Sequence, residues 1–205
     1  MTLKLTEINP GLTDRACFVG QTGCGKTTLA RYLLQYRKYV VCIDGKDSLK
    51  WAGYKRLTTL KKVVEDRSDR IIYAPNDAEL RDETYINAFF HWVYKRKNTT
   101  VYIDEVYSIT DGEVISDYYH ACLTRGRERN VSVFSATQRP KQIPQAIMSE
   151  SEHFYMFRLA LPQDRKKMTE IVPIKEAQIM ALEKREFFYG TIEGDLRGPL
   201  TLNLK

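Results

Sequence analysis

Apolar residues in this chain cluster in short runs. Ala16–Val19, Tyr39–Ile43, Arg70–Tyr73, Thr100–Ile103 and Val131–Ala136 each read as a strand with both faces buried. Helical spacing fills the gaps between them. Thr27–Tyr36 carries Leu29, Tyr32, Leu33 and Tyr36 on one face, and Asp82–Lys95 carries Ile86, Phe89, Phe90 and Val93. Ser116–Thr124 also reads as helix. Buried strands alternating with helices predict an α/β fold, a mainly parallel central sheet flanked by helices. After Pro144 the pattern changes. Ile147–Glu150 ends a short helix, His153–Leu159 alternates like a strand, and Pro173 introduces a helix over Ile174–Leu182. Glu186–Thr191 and Leu200–Leu204 read as closing antiparallel strands.

The length of 205 residues suits one domain, 1–205, with a core of about 16–159 and an extension of the same domain over 160–205. At 43% hydrophobic and 28% charged the chain has a soluble, globular composition. No apolar run is long enough to span a membrane, and the N-terminal stretch lacks a signal-type apolar region, so the protein is expected in the cytoplasm. Cys17, Cys24, Cys42 and Cys122 are scattered, and the three histidines show no zinc-type spacing, which argues against a disulfide framework or a transition-metal site. The net charge of +6 favours a polyanionic partner.

The chemistry starts at Gly20-Gln21-Thr22-Gly23-Cys24-Gly25-Lys26-Thr27-Thr28, which fills every fixed position of GxxxxGK(S/T). It lies between a strand and a helix, the context in which this motif binds phosphate. Its backbone N–H groups and the helix N-terminus form an anion cradle. Lys26 is placed to reach the β- and γ-phosphates of ATP, and the Thr27 hydroxyl to help hold Mg²⁺.

A second element is VYIDEV, Val101–Val106, where apolar strand residues lead into two carboxylates. Asp104 is a candidate Mg²⁺ ligand. Glu105 is a candidate to position or deprotonate the attacking water. An acid in that position argues for hydrolysis, which a small-molecule kinase must avoid. A third element is Leu123–Pro140. Its strand ends at Thr137-Gln138, so Gln138 sits near the γ-phosphate if that strand lies beside Val101–Ile103. Arg125, Arg127 and Arg129 precede the strand, with only Glu128 as an intervening acid. Three guanidiniums so close together suit an anion, and one of them is a candidate arginine finger for a neighbouring subunit's nucleotide.

The loop, the IDE strand, the Gly126-Arg127 pair and ATQRP (Ala136–Pro140) together resemble the FtsK–HerA superfamily of DNA-pumping ATPases, over roughly Ala16–Leu159. Val40–Lys46 resembles that family's second strand, which ends in an Asp. The resemblance implies a RecA-like (ASCE) P-loop NTPase fold and ATP hydrolysis with Mg²⁺. It also implies a ring, hexamer or pentamer, with double-stranded DNA in its channel, and it makes Arg127 the best match for the finger. With no membrane-span, tail or barrel module evident, the chain most resembles the genome-packaging ATPases of tailless double-jelly-roll viruses with an internal membrane. That implies action in the host cytoplasm or at a virion packaging vertex, beside capsid or membrane portal proteins.

Two stretches are candidate DNA contacts: Lys46–Lys62, basic with Trp51 and Tyr54 interleaved, and Arg139–Gln145. The acidic Thr110–Tyr119 is a candidate subunit contact. The alternatives are a DNA-mobilising ATPase of plasmid transfer or segregation, a P-loop kinase or GTPase, and a nucleotide-gated assembly protein. The chain has no NKxD-like guanine reader and no evident Arg-rich lid.

Overall fold

The computed structural model describes residues 5–110, 112 and 114–202. They form a nine-stranded sheet in the order β3-β4-β2-β5-β6-β1-β7-β8-β9. The expected buried runs become β1 (Arg15–Val19), β2 (Val40–Ile43), β4 (Arg70–Tyr73), β5 (Thr99–Ile103), β6 (Val131–Thr137) and β7 (His153–Phe157). These pair in parallel, joined by the edge strand β3 (Lys55–Leu57). The last two strands, β8 (Glu186–Thr191) and β9 (Leu196–Thr201), are antiparallel, as the C-terminal pattern predicts.

Why the central runs are apolar throughout is clear from the packing. Cys17, Val41, Val101, Val133 and Phe154 face one helical layer. Their neighbours Ala16, Phe18, Cys42, Tyr102, Phe134 and Tyr155 face the other. Period-two alternation sends successive side chains to opposite faces, and helices cover both. One layer holds α1 (Lys26–Leu34), through Leu29, Ala30, Leu33 and Leu34. The other holds α2 (Leu60–Glu65), α4 (Glu83–Arg96) and α5 (Asp117–Arg125). Short helices α3 (Asp77–Arg81), α6 (Gln145–Ser149), α7 (Pro162–Thr169) and α8 (Glu176–Ala181) complete the chain.

Several boundaries differ from the sequence reading. Helix α1 stops at Leu34, leaving Tyr36 exposed. Helix α8 is shorter than Ile174–Leu182 at both ends. The closing strand begins at Leu196 and ends at Thr201, whereas Leu204 lies outside the described residues. Pro199 makes that strand look like a loop in sequence, yet at a sheet edge a missing N–H costs no ladder bond.

All the parallel strands point their carboxyl ends to the same side. β6 lies between β1, which leads into the phosphate-loop motif, and β5, which leads into Asp104-Glu105. The loop, the two acids and Gln138 therefore arrive on one edge.

Candidate nucleotide site

The loop is a tight backbone turn that only particular residues permit. Gly20 has φ +153°, and a Cβ there would meet the Cβ of Phe157 at 2.5 Å. Gly25, at φ +121°, caps α1 and sits against Leu202 and Phe157. Both positions require the absence of a side chain. Backbone bonds from Gly20 N–H to Thr137 O (3.2 Å) and from Gln21 N–H to Arg158 O (3.0 Å) tie the loop to the strands on either side.

Lys26 is buried, and its ammonium donates to two carbonyls of its own loop, Gly20 at 2.7 Å and Gln21 at 2.9 Å. Burial lowers its pKa, opposed by the nearby charges of Glu105 and Asp104. Beside it the Thr27 hydroxyl donates to Asp104 Oδ1 at 2.8 Å. Tyr102 OH donates to the same oxygen at 2.7 Å, and the Ser48 hydroxyl to Oδ2 at 3.2 Å. Hard oxygen donors of this kind suit Mg²⁺, which needs one or two carboxylates and takes its remaining ligands from phosphates and water.

Glu105 is only 6% exposed. Its Oε2 meets Lys46 Nζ at 3.1 Å, and its Oε1 accepts the Gln138 backbone N–H at 3.4 Å. The Gln138 side-chain oxygen accepts from the Thr22 hydroxyl at 2.7 Å. Gln138 thus bridges the loop and the acid, which follows from β6 pairing with β5 on one side and β1 on the other. Thr28 follows Thr27 in the first turn of α1. Cys24 is buried at 8% exposure, and burial raises its thiol pKa.

Sequence reasoning missed some neighbours. Ser48 and Lys46 lie in the stretch that is a candidate DNA contact, and Tyr102 shows in the sequence only as a strand residue. Tyr102 precedes Asp104 by two positions, so strand alternation already put them on one side. Asp44 directly follows β2, and its carboxylate accepts Leu49 N–H at 2.6 Å, pinning the turn that carries Ser48 and Lys46.

The arginines lie elsewhere. Arg125, Arg127 and Arg129 precede β6, at the opposite edge of the sheet from the loop. Their acid is not Glu128. Arg127 pairs with Glu152 at 2.9 Å, and the same carboxylate holds Arg15 at 2.7 Å. Arg129 lies 4.7 Å from the centre of the Tyr94 ring. None of the three sits beside the loop of its own chain.

The candidate DNA stretches are also partly absorbed by the fold. Trp51 is buried and stacks on Tyr102 with ring centres 5.6 Å apart, and Tyr54 packs edge-on to Trp51. Lys55 pairs with Asp66 and Arg56 with Asp47, while Lys50, Lys61 and Lys62 remain exposed. In the second stretch Arg139 is held by Asp164 at 2.9 Å, while Lys141 is exposed. Of Thr110–Tyr119, Asp111 and Glu113 lie outside the described residues, and Val114 is exposed.

Residues 16–159 match the ATPase family associated with various cellular activities (AAA). The chain is 26% identical over 189 residues to the DNA packaging ATPase P9 of Enterobacteria phage PRD1, covering 88% of this chain and 78% of that protein. It also resembles the genome packaging NTPase B204 of Sulfolobus turreted icosahedral virus 2 in complex with AMPPCP. The TM-score is 0.77 at 15% identity, over 95% of this chain and all of that one. VirB4 of Thermoanaerobacter pseudethanolicus gives a TM-score of 0.69 at 11% identity, over 95% and 91% of the two chains. These likenesses are consistent with the FtsK–HerA resemblance. Among the described residues no helix is long and apolar enough to cross a membrane. The chain belongs to the AAA ATPase family, and its fold is that of a P-loop ATPase.

Proposed function

From its membership of this ATPase family, we propose that the chain hydrolyses ATP to move double-stranded DNA, packaging a viral genome into a preformed capsid. The observation that carries the reading is the convergence of Lys26, Asp104, Glu105 and Gln138 on one sheet edge, in a chain related along most of its length to a packaging ATPase. The PRD1 relative favours packaging over plasmid transfer. The likeness to VirB4 is one of fold alone.

The loop N–H groups from Gly20 to Thr28 cradle the phosphates. Lys26 exchanges the carbonyls of Gly20 and Gln21 for β- and γ-phosphate oxygens, trading two neutral acceptors for anionic ones. Thr27 and Asp104 would hold Mg²⁺, which would neutralise phosphate charge when bound. Glu105 takes a proton from a water whose oxygen attacks the γ-phosphorus, while the bond to the β–γ bridging oxygen breaks and ADP leaves. Gln138 touches both the loop at Thr22 and the Glu105 carboxylate, so its amide senses whether the γ-phosphate is present. Arg127 serves the nucleotide of the next subunit in a ring, where it stabilises transition-state charge. Exposed Lys50, Lys61, Lys62 and Lys141 supply sequence-independent phosphate contacts.

The test is ATP turnover with and without duplex DNA. Wild-type protein is expected to turn over faster with DNA. Glu105→Gln is expected to bind ATP and lose about 10²–10⁴-fold in turnover, the usual worth of a general base. A protein that hydrolyses ATP but ignores duplex DNA in both binding and turnover contradicts the reading.

A further inference from the structure

A groove of about 300 Å³ runs from the phosphate loop, where Gly23, Gly25 and the segment Lys26-Thr27-Thr28 line it, to Lys184, Arg185 and Leu202. The sheet order gives it a direction. Glu105 and Gln138 follow β5 and β6, on one side of β1, whereas β7, β8 and β9 lie on the other. A triphosphate whose γ end faces Glu105 points its nucleoside the opposite way, toward this groove.

The C-terminal wall is built onto the loop. Arg185 N–H donates to Cys24 O at 3.1 Å, and Leu202 N–H donates to Arg185 O at 3.0 Å. Leu202 is 4% exposed, and its side chain lies against Gly25. Arg185 adopts φ +70°, a left-handed conformation that is costly for a residue with a Cβ. The bond to Cys24 holds it there and leaves its side chain exposed at the groove.

We propose that Lys184, Arg185 and Leu202 form the nucleoside half of the site, with the base of a nucleoside triphosphate lying against Leu202 and the Arg185 guanidinium. A planar guanidinium stacks on the π-face of a base, and an aliphatic side chain offers the base a dry surface. This assignment rests on the nucleotide reading of the loop. It places half of the binding site beyond residue 159, where the match to the ATPase family ends. A second groove, of about 560 Å³ beside Arg31, Tyr32, Tyr54 and Arg70, lies toward β2 and β4, on the side of the acids.

The experiment compares calorimetric binding of AMP-PCP and inorganic tripolyphosphate, each with Mg²⁺, across wild type and three variants. Arg185→Gly removes the side chain while suiting the positive φ, so the fold is kept. It is expected to weaken AMP-PCP about tenfold, the worth of one guanidinium–base stack, while tripolyphosphate affinity stays within about twofold. Unchanged AMP-PCP affinity overturns the proposal. An equal loss for both ligands also overturns it, because Arg185 would then contact phosphate. A selective AMP-PCP loss in Tyr32→Ala, absent from Arg185→Gly, puts the base in the other groove. Lys26→Ala is expected to weaken both ligands. If it weakens neither, the loop reading fails, and the nucleoside assignment falls with it.

Discussion

The two edges of the central sheet are both rich in charge, but they hold it differently. At the carboxyl edge, Lys26 bonds to its own loop carbonyls, Thr27 to Asp104 and Thr22 to Gln138. These are contacts among groups that a nucleotide would separate and take over. At the amino edge the charges complete one another. Glu152 holds both Arg15 and Arg127, and Asp14 accepts from His153 at 3.0 Å. One edge gathers the candidate ligand groups into contacts with one another. The other is a clamp that joins the start of β1 to the segments entering β6 and β7, and it also presents an exposed arginine to whatever lies next to it.

The largest expected effect breaks or sharpens that contrast. Arg127→Ala is expected to keep ATP binding and lose about 10³–10⁵-fold in turnover, as arginine fingers do. In the proposed ring, mixing it with Glu105→Gln subunits is expected to recover activity, because some interfaces would regain both an intact acid and an intact arginine. A role confined to the Glu152 clamp would instead lower the melting temperature and give no recovery on mixing.

A smaller effect reports on the amino edge alone. Burial raises the Asp14 pKa, but the His153 and Gly11 hydrogen bonds and the His153 and Arg127 charges outweigh it, leaving the carboxyl below 3.8. A lowered carboxylate pKa stabilises the fold above the unfolded value, and that contribution is lost as pH falls through the folded value. Wild type is therefore expected to lose melting temperature more steeply below pH 3.8 than Asp14→Asn. At neutral pH the substitution costs about 1 kcal/mol or less, since the site is partly solvated. Parallel acid limbs would deny the clamp its charge.

The smallest effect concerns the loop. Cys24 sits inside the motif, but its thiol is buried and burial raises its pKa. Alkylating reagents are expected to leave turnover unchanged over the time that an exposed thiol reacts, with no further protection from ATP. Rapid, ATP-protected inactivation would mean that the loop opens more than its packing against Phe157 suggests.

The carboxyl edge was largely legible in sequence because its signals are local. Glycines, lysine and threonine fall at fixed spacing, and the IDE acids end an apolar run. Burial on both faces made β1, β2, β4, β5 and β6 continuous apolar runs. The amino edge was not legible, because Arg15 meets Glu152 across 137 residues and no local pattern announces the pair. Lys46 and Glu105 are likewise 59 residues apart. Strand β3 was hidden for another reason: as an edge strand with Lys55 and Arg56 exposed, it lacks the apolar signature of its neighbours. Trp51 and Tyr54 look like nucleic-acid contacts among lysines, but Trp51 stacks on Tyr102 and Tyr54 packs edge-on to Trp51.

The most direct test of the central claim, that hydrolysis at the carboxyl edge drives movement along duplex DNA, is displacement of a third strand from a DNA triplex. Wild-type protein with ATP is expected to strip the third strand, and neither Glu105→Gln with ATP nor wild type with AMP-PCP should do so. Brisk ATP hydrolysis with the triplex left intact would contradict the claim.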